Sequence, residues 1–201
     1  MAECGCGIDI TSKEERRVLI ILLAINLAMF LAEIAMGIIA ESMGLIADSL
    51  DMLADAAVYG IGLYAVGKAA SIKTRAAFLS GIFQIALALG VATEIVRRVI
   101  WGSEPEPFYM VLVSLLALIA NVICLVLISK HRAGEVHMRA SWIFSKNDVI
   151  ANVGVILSGL LVYAFSTRWP DLIIGMIIVA VVLRGGLMIV TDARRERHSI
   201  E

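Results

Sequence analysis

Apolar residues fill six long runs of this chain, and short polar segments separate the runs. Each run has about the 20 residues that a helix, rising about 1.5 Å per residue, needs to cross a hydrocarbon core of about 30 Å. The pattern therefore predicts an all-α integral membrane protein, a bundle of six transmembrane helices. The predicted spans are residues 18–39, 45–66, 76–100, 108–129, 141–165 and 170–190.

The composition supports this class of protein. Of the 201 residues, 60% are apolar and 17% are charged, whereas soluble domains have about 25% charged residues. The net charge of −1 offers no basic surface for nucleic acid, so we expect no nucleic-acid partner. Residues 1–17 lack the apolar stretch of a signal peptide. We therefore expect a cytoplasmic tail at 1–17, a transmembrane domain at 18–190 and a short cytoplasmic tail at 191–201.

The distribution of basic residues predicts the orientation of the bundle. If both termini are cytoplasmic, twelve lysines and arginines lie in the cytoplasmic segments, against three outside, Arg97, Arg98 and Arg168. Basic residues are enriched in cytoplasmic loops, so both termini are predicted to be cytoplasmic. The twelve cytoplasmic lysines and arginines are Lys13, Arg16, Arg17, Lys68, Lys73, Arg75, Lys130, Arg132, Arg139, Arg194, Arg195 and Arg197. We expect a multi-pass protein of a cell membrane, a bacterial inner membrane in the first place.

Acidic residues inside the second predicted span are the first sign of chemistry. Asp48, Asp51 and Asp55 fall on one stripe of a helix because they are three and four positions apart. An ionised aspartate at the centre of a span costs about 2.5 to 3.5 kcal/mol, so three cost on the order of 8 to 10 kcal/mol. The stripe must therefore face the bundle interior or a wet cavity. Asp48 lies near the start of the helix, so for this residue capping of a neighbouring helix is weighed equally with a role in the site.

The spacing of these acids predicts a metal site. Asp51 and Asp55 are four apart, which brings their side chains together on one helix face, and the fifth span repeats the spacing with Asp148 and Asn152. Few basic residues lie at that depth, so the balancing cation is expected to come from outside the protein. The predicted metal ligands are Asp51, Asp55, Asp148 and Asn152, with Asp48, Asn147 and Ser145 as further candidates.

The remaining polar residues support weaker interpretations. Asn26 and Glu33 share a face of the first helix, where they line the pathway or form an interhelical hydrogen bond. Asn121 is interpreted as a packing residue, and Asp171 with Arg184 as an ion pair or surface anchors. Four residues are interpreted as parts of a solvated tail or loop, with collection of metal as the less favoured alternative: Cys4, Cys6, His131 and His137.

Taken together, these segments resemble the cation diffusion facilitator family of metal/proton antiporters. The resemblance rests on Asn26 and Glu33, then ESMGLIADSLDMLAD, Asn121, SKNDVIANVGVIL and WPDLIIGMII, in that order along nearly the whole chain. In that family a pair of ligands on the second helix and a pair on the fifth form the transport site. The matching positions here are Asp51, Asp55, Phe144 and Asp148.

The resemblance implies an oligomeric state, and the sequence departs from the family pattern at two places. Relatives are homodimers, so a homodimer held by transmembrane helices is expected. Phe144 stands where many relatives have a liganding histidine or aspartate, which leaves Asn152, Asn147, Ser145 or water as the fourth ligand. The segment after the sixth span is too short for the cytoplasmic metallochaperone-like domain that most relatives carry, so we expect a member without that domain.

The implied activity is efflux of a divalent cation in exchange for protons. Burial favours the protonated form of a carboxyl group and a bound dication favours the ionised form, so metal and protons compete for the same oxygens. Zinc and cadmium are the expected cargo, with manganese, iron and cobalt left open by an oxygen-rich ligand set. The expected partners are lipid, metal ions and protons, with no resident cofactor.

Two other classes of function are weighed against this one. A membrane-embedded metalloenzyme would also gather carboxylates around a metal, but the sequence contains no H-E-x-x-H motif and no histidine inside a span. We therefore expect no enzymatic activity. A proton-coupled exporter of an organic cation would be expected to place aromatic residues near the acids, and aromatic residues are only 6% of this chain.

Overall fold

The computed structural model describes the backbone of residues 7–65, 70–129 and 136–200, and nearly all of it is helical. This confirms the prediction of an all-α membrane bundle of six helices. The helices extend the predicted spans at several ends. They are α1 (Gly7–Ile39), α2 (Met43–Ala65), α3 (Ala70–Trp101), α4 (Pro107–Ser129), α5 (Val136–Phe165) and α6 (Trp169–Ile200).

Within the described residues, four helices contain stretches long and apolar enough to cross a membrane: Arg16–Ile39, Pro107–Ser129, Ser145–Phe165 and Trp169–Arg195. Their outward faces carry large exposed apolar side chains such as Leu31, Leu116 and Leu160. In water such a surface would be a contiguous apolar patch, whereas in a bilayer it is covered by lipid tails. The exposed surface thus agrees with an integral multi-pass membrane protein.

Helix α2 occupies the centre of the bundle, because it contacts each of the other five helices. The most extensive pairings are α3 with α6, α1 with α2, and α4 with α5. Glycines permit the close approach of α3 and α6: a Cβ built on Gly81 would lie 3.0 Å from the Gly186 carbonyl oxygen. Every residue from Met43 to Tyr59 is buried or half-buried, so the acidic part of α2 is shielded from lipid by its neighbours.

Asp171 ties the start of α6 to the start of α2. Its Oδ2 accepts a hydrogen bond from the Met43 N–H at 2.6 Å, and its Oδ1 accepts from the Gly44 N–H at 2.9 Å and the Ser42 hydroxyl at 2.6 Å. The first N–H groups of a helix have no partner within the helix, and a carboxylate also complements the helix dipole there. Asp171 is therefore a buried cap of α2, which differs from the expected ion pair or surface anchor.

Further polar contacts join the connections at this end of the bundle, which we call the α1–α2 end. The Arg98 guanidinium donates to the Glu41 carbonyl oxygen and to Glu94, and the Glu106 N–H donates to the Ala40 carbonyl oxygen at 2.9 Å. Residue Glu41 adopts a positive φ of 49°, which lets the chain reverse between α1 and α2. The ends of α1 and α3 and the starts of α2, α4 and α6 are thus held together.

Candidate metal-binding site

The site lies where α2 and α5 run antiparallel through the bundle. Three residues of α2 lie beside three residues of α5. In order along α2, the pairs are Asp48 with Asn152, Asp55 with Asp148, and Tyr59 with Ser145. The order along α5 is reversed, as antiparallel helices require. Spacings of three, four and seven residues keep each set on one face of its helix, so the two faces predicted from the sequence do meet.

Three carboxylates come together at the middle of this interface. One oxygen each from Asp51, Asp55 and Asp148 lies within 4.8 Å of the other two. Oxygen ligands at about 2.0 to 2.6 Å from a divalent cation are up to roughly 5 Å apart, so this separation suits three ligands of one ion. Asp55 and Asp148 are buried and Asp51 is half-buried. The geometry therefore matches the cluster expected from the sequence for these three residues.

A cavity of about 600 Å³ reaches the three carboxylates from the side formed by α3, α5 and α6. Besides the aspartates its polar lining includes Asn147, Gln84 and Arg184, and its remaining wall is largely apolar. The lining on α6 runs from Ile174 to Ile189, which is about 22 Å along a helix axis. Arg184 therefore lines the cavity, which the sequence had not suggested.

Asn152 and Asp48 are buried beside the cluster and bind each other. The Asn152 side-chain N–H donates to Asp48 Oδ2 at 3.1 Å and to the Asp148 carbonyl oxygen at 2.8 Å. Asn152 Oδ1 is left without a hydrogen-bond partner. Neither residue is among the described residues that line the cavity, whereas Asn147 is. The prediction that Asn152 is a ligand stays a prediction, and so does the candidacy of Asp48.

Tyr59 is a member of the site that sequence reasoning missed. Its hydroxyl donates to Asp55 Oδ2 at 2.9 Å and lies 3.3 Å from the Ser145 hydroxyl. Both Tyr59 and Ser145 are fully buried. The signal was available, because Tyr59 follows Asp55 by four residues on the acidic stripe. Ser145 therefore contacts the site through Tyr59.

The polar residues of α1 and α4 lie away from the cavity lining. Asn26 donates to the Leu22 carbonyl oxygen of its own helix at 2.9 Å, a local bond that is neither of the two alternatives left open by the sequence. The Glu33 carboxyl group is fully buried and faces the Asp48 carboxyl group of α2, whereas both amide atoms of Asn121 are buried without a hydrogen-bond partner. Cys4, Cys6, His131 and the side chains of His137 and Phe144 lie outside the described residues.

Comparison with known families identifies the type of protein. The model of the cation efflux transmembrane domain matches residues 19–196. The chain belongs to the cation efflux family. This confirms the resemblance to cation diffusion facilitators, and it makes the protein an integral, multi-pass membrane transporter of metal cations. A comparison with curated proteins gives no match.

Proposed function

We propose that this protein exports a divalent metal cation by proton antiport, with Asp51, Asp55 and Asp148 as metal ligands. The observation that carries the proposal is the approach of three carboxylate oxygens to within 4.8 Å at the head of a cavity. Cation-binding groups inside a membrane are rare and mark ion pathways. Zinc and cadmium are the first candidates, and manganese, iron and cobalt are also compatible with oxygen ligands.

Exchange of metal for protons follows from the chemistry of the cluster. Three carboxylates this close cannot all stay ionised without a compensating cation, because like charges at short distance in a poorly solvated site repel strongly. A dication neutralises two of the charges, and protons do so when the dication leaves. Protons taken up from one side of the membrane thereby drive metal release to that side.

Alternating exposure of the cluster is the second part of the proposal. The cavity extends along α6 away from the α1–α2 end, whereas polar contacts join five helices at the α1–α2 end. If the basic segments are cytoplasmic, the cavity opens toward the cytosol. We propose that metal enters there and leaves after the contacts at the α1–α2 end rearrange.

Flux measured in proteoliposomes tests the coupling. We expect metal uptake that is driven by an imposed proton gradient, and we expect uptake to weaken as the pH on the loading side falls toward about 5.5, because protonation removes the ligands. Liposomes treated with a protonophore to collapse the gradient are the control. A flux that changes neither with pH nor when the proton gradient is collapsed would contradict antiport and favour a channel.

The fourth protein ligand is tested separately with two amide variants. Asn152→Ala is expected to weaken metal affinity at least tenfold, which is about 1.4 kcal/mol, because its free Oδ1 is the predicted fourth donor. Asn147→Ala is the matched comparison, since Asn147 lines the cavity beside Asp148. Calorimetric titration that finds wild-type affinity for Asn152→Ala and a tenfold loss for Asn147→Ala would assign the fourth position to Asn147.

The arrangement in the cell is proposed from the sequence pattern and the family resemblance. We propose both termini in the cytosol, a homodimer held by transmembrane helices and residence in a bacterial inner membrane. The boundaries of the transmembrane domain are proposed at residues 18–190. In a variant whose three native cysteines are replaced by serine, labelling of single cysteines introduced at residue 13 and at residue 104 with an impermeant thiol reagent distinguishes the two sides of the membrane.

Export of an organic cation is a second candidate because of the size of the cavity. At about 600 Å³ its volume falls in the range of small-molecule pockets, and its wall is largely apolar. A quaternary ammonium probe should compete with metal for the site if this candidate is right. Metal flux that is indifferent to an excess of the probe would exclude it.

A further inference from the structure

Two hydrogen-bonded bridges between α2 and α5 flank the three carboxylates. On the side nearer the α1–α2 end, Asp48 of α2 binds Asn152 of α5. On the other side, Tyr59 of α2 lies against Ser145 of α5. The proposed ligands Asp51, Asp55 and Asp148 lie between these bridges along the two helices, so α2 and α5 are joined on both sides of the three carboxylates.

The first bridge fixes the turn of α5 that carries Asp148. The Asn152 amide N–H₂ group bonds the Asp48 carboxylate and, in the same orientation, the carbonyl oxygen of Asp148. Each of its two N–H groups is thereby engaged, and the amide oxygen is held free. Both side chains have no more than 1% of their surface exposed, so water does not compete for these bonds.

The second bridge includes a direct hydrogen bond to Asp55, one of the three proposed ligands. The Tyr59 hydroxyl has one proton, and it donates that proton to Asp55 Oδ2 at 2.9 Å. The hydroxyl oxygen can then accept from the Ser145 hydroxyl at 3.3 Å. This bond engages Oδ2 of Asp55 and leaves Oδ1 without a bond from Tyr59. Groups that bind metal ligands in this way orient them and tune their basicity.

We propose that Asp48 and Tyr59 are positioning residues of the metal site, acting through Asn152 and Asp55 and setting the separation of α2 and α5 at the metal. The inference rests on the proposed function of the three-carboxylate cluster. It gives Asp48 a role other than ligand, and it gives Tyr59 a role where the sequence suggested none. Loss of such an outer partner lowers metal affinity about 10- to 100-fold in other metal sites.

The test uses the full-length protein in detergent, with Zn²⁺ affinity measured by calorimetry and the coordination geometry read from the visible spectrum of bound Co²⁺. Tyr59→Phe removes only the hydroxyl, and it is expected to lower Zn²⁺ affinity at least about tenfold and to shift the Co²⁺ bands. Tyr163→Phe is the matched control, because the Tyr163 side chain is 77% exposed. It is expected to leave both measurements unchanged.

A double-mutant cycle tests whether Asp48 acts through Asn152. Asp48→Ala is expected to lower affinity about tenfold when Asn152 is present and to cause almost no further loss in the Asn152→Ala background. A purely electrostatic effect of Asp48 would persist in both backgrounds, and this result would overturn its positioning role. If Asp48→Ala fails to fold, Asp48→Asn replaces it, because asparagine keeps an oxygen that can accept from Asn152 but removes the charge: wild-type affinity supports the positioning role, and a loss of about tenfold overturns it.

The outcomes separate this inference from the proposed function. Wild-type protein that binds no Zn²⁺, or Asp51→Ala that binds it as well as wild type, contradicts the proposed function itself. If wild type binds and Asp51→Ala does not, while Tyr59→Phe loses less than about tenfold in affinity and keeps the wild-type Co²⁺ spectrum, only the positioning roles are overturned.

Discussion

Asp51→Ala, Asp55→Ala and Asp148→Ala are each expected to abolish metal transport while the protein remains folded and inserted. Each substitution removes one of three oxygens that lie within 4.8 Å of one another. Removal of a group that merely orients a ligand costs up to about 100-fold in affinity, so removal of a ligand itself should cost at least that much. Flux into proteoliposomes and calorimetric titration of the same preparations measure the two effects.

The control for these variants is Asp192→Ala. Asp192 lies on α6 with an exposed side chain and is not among the described residues that line the cavity. Its removal changes the net charge by the same amount and should leave flux and affinity at the wild-type level. Wild-type flux for any one of the three site variants would remove that residue from the site.

Asp171→Ala should produce the largest loss of stability among the substitutions considered. The carboxylate accepts three hydrogen bonds, two of them from the Met43 and Gly44 N–H groups at the start of α2. A buried donor left without a partner costs about 1 to 3 kcal/mol, so two backbone donors together reduce the free energy of unfolding by about 2 to 6 kcal/mol. Thermal unfolding in detergent micelles measures the change.

Two milder variants calibrate this prediction. Asp171→Asn keeps one oxygen acceptor and should lose less stability than Asp171→Ala. Ser42→Ala removes a hydroxyl that donates to Asp171 and accepts from the Leu45 N–H in the first turn of α2, and the loss of this cap should cost about 0.5 to 2 kcal/mol. If Asp171→Ala unfolds at the wild-type temperature, capping of α2 by Asp171 contributes no stability and the position of α2 depends on apolar packing alone.

The sequence predicts the fold and the core of the site because both depend on local regularity. Six apolar runs of membrane length define six helices whatever their packing. The three- and four-residue spacing of Asp48, Asp51 and Asp55 defines one face of α2, and the burial cost of that face requires it to point inward. Asp148 could be paired with this face because few other acidic residues occur at membrane depth.

The roles that the sequence did not predict depend on contacts between distant segments. Asp171 caps a helix that begins 128 residues earlier, and no pattern along the chain links the two positions. Asn26 satisfies its amide within its own helix, whereas the sequence left a pathway role and an interhelical bond as equal alternatives. Arg184 faces a cavity whose existence depends on how α3 and α6 pack against α2 and α5.

The central position of α2 has a consequence for biosynthesis. Because it carries three aspartates, α2 would pay on the order of 8 to 10 kcal/mol to enter lipid alone with all three ionised, and its neighbours α3, α5 and α6 are all made after it. While the chain emerges from the ribosome, only α1 is available to shelter it. Stable insertion of α2 must therefore await synthesis of the later helices, and a chain truncated after α2 should be retained at the insertion machinery or degraded.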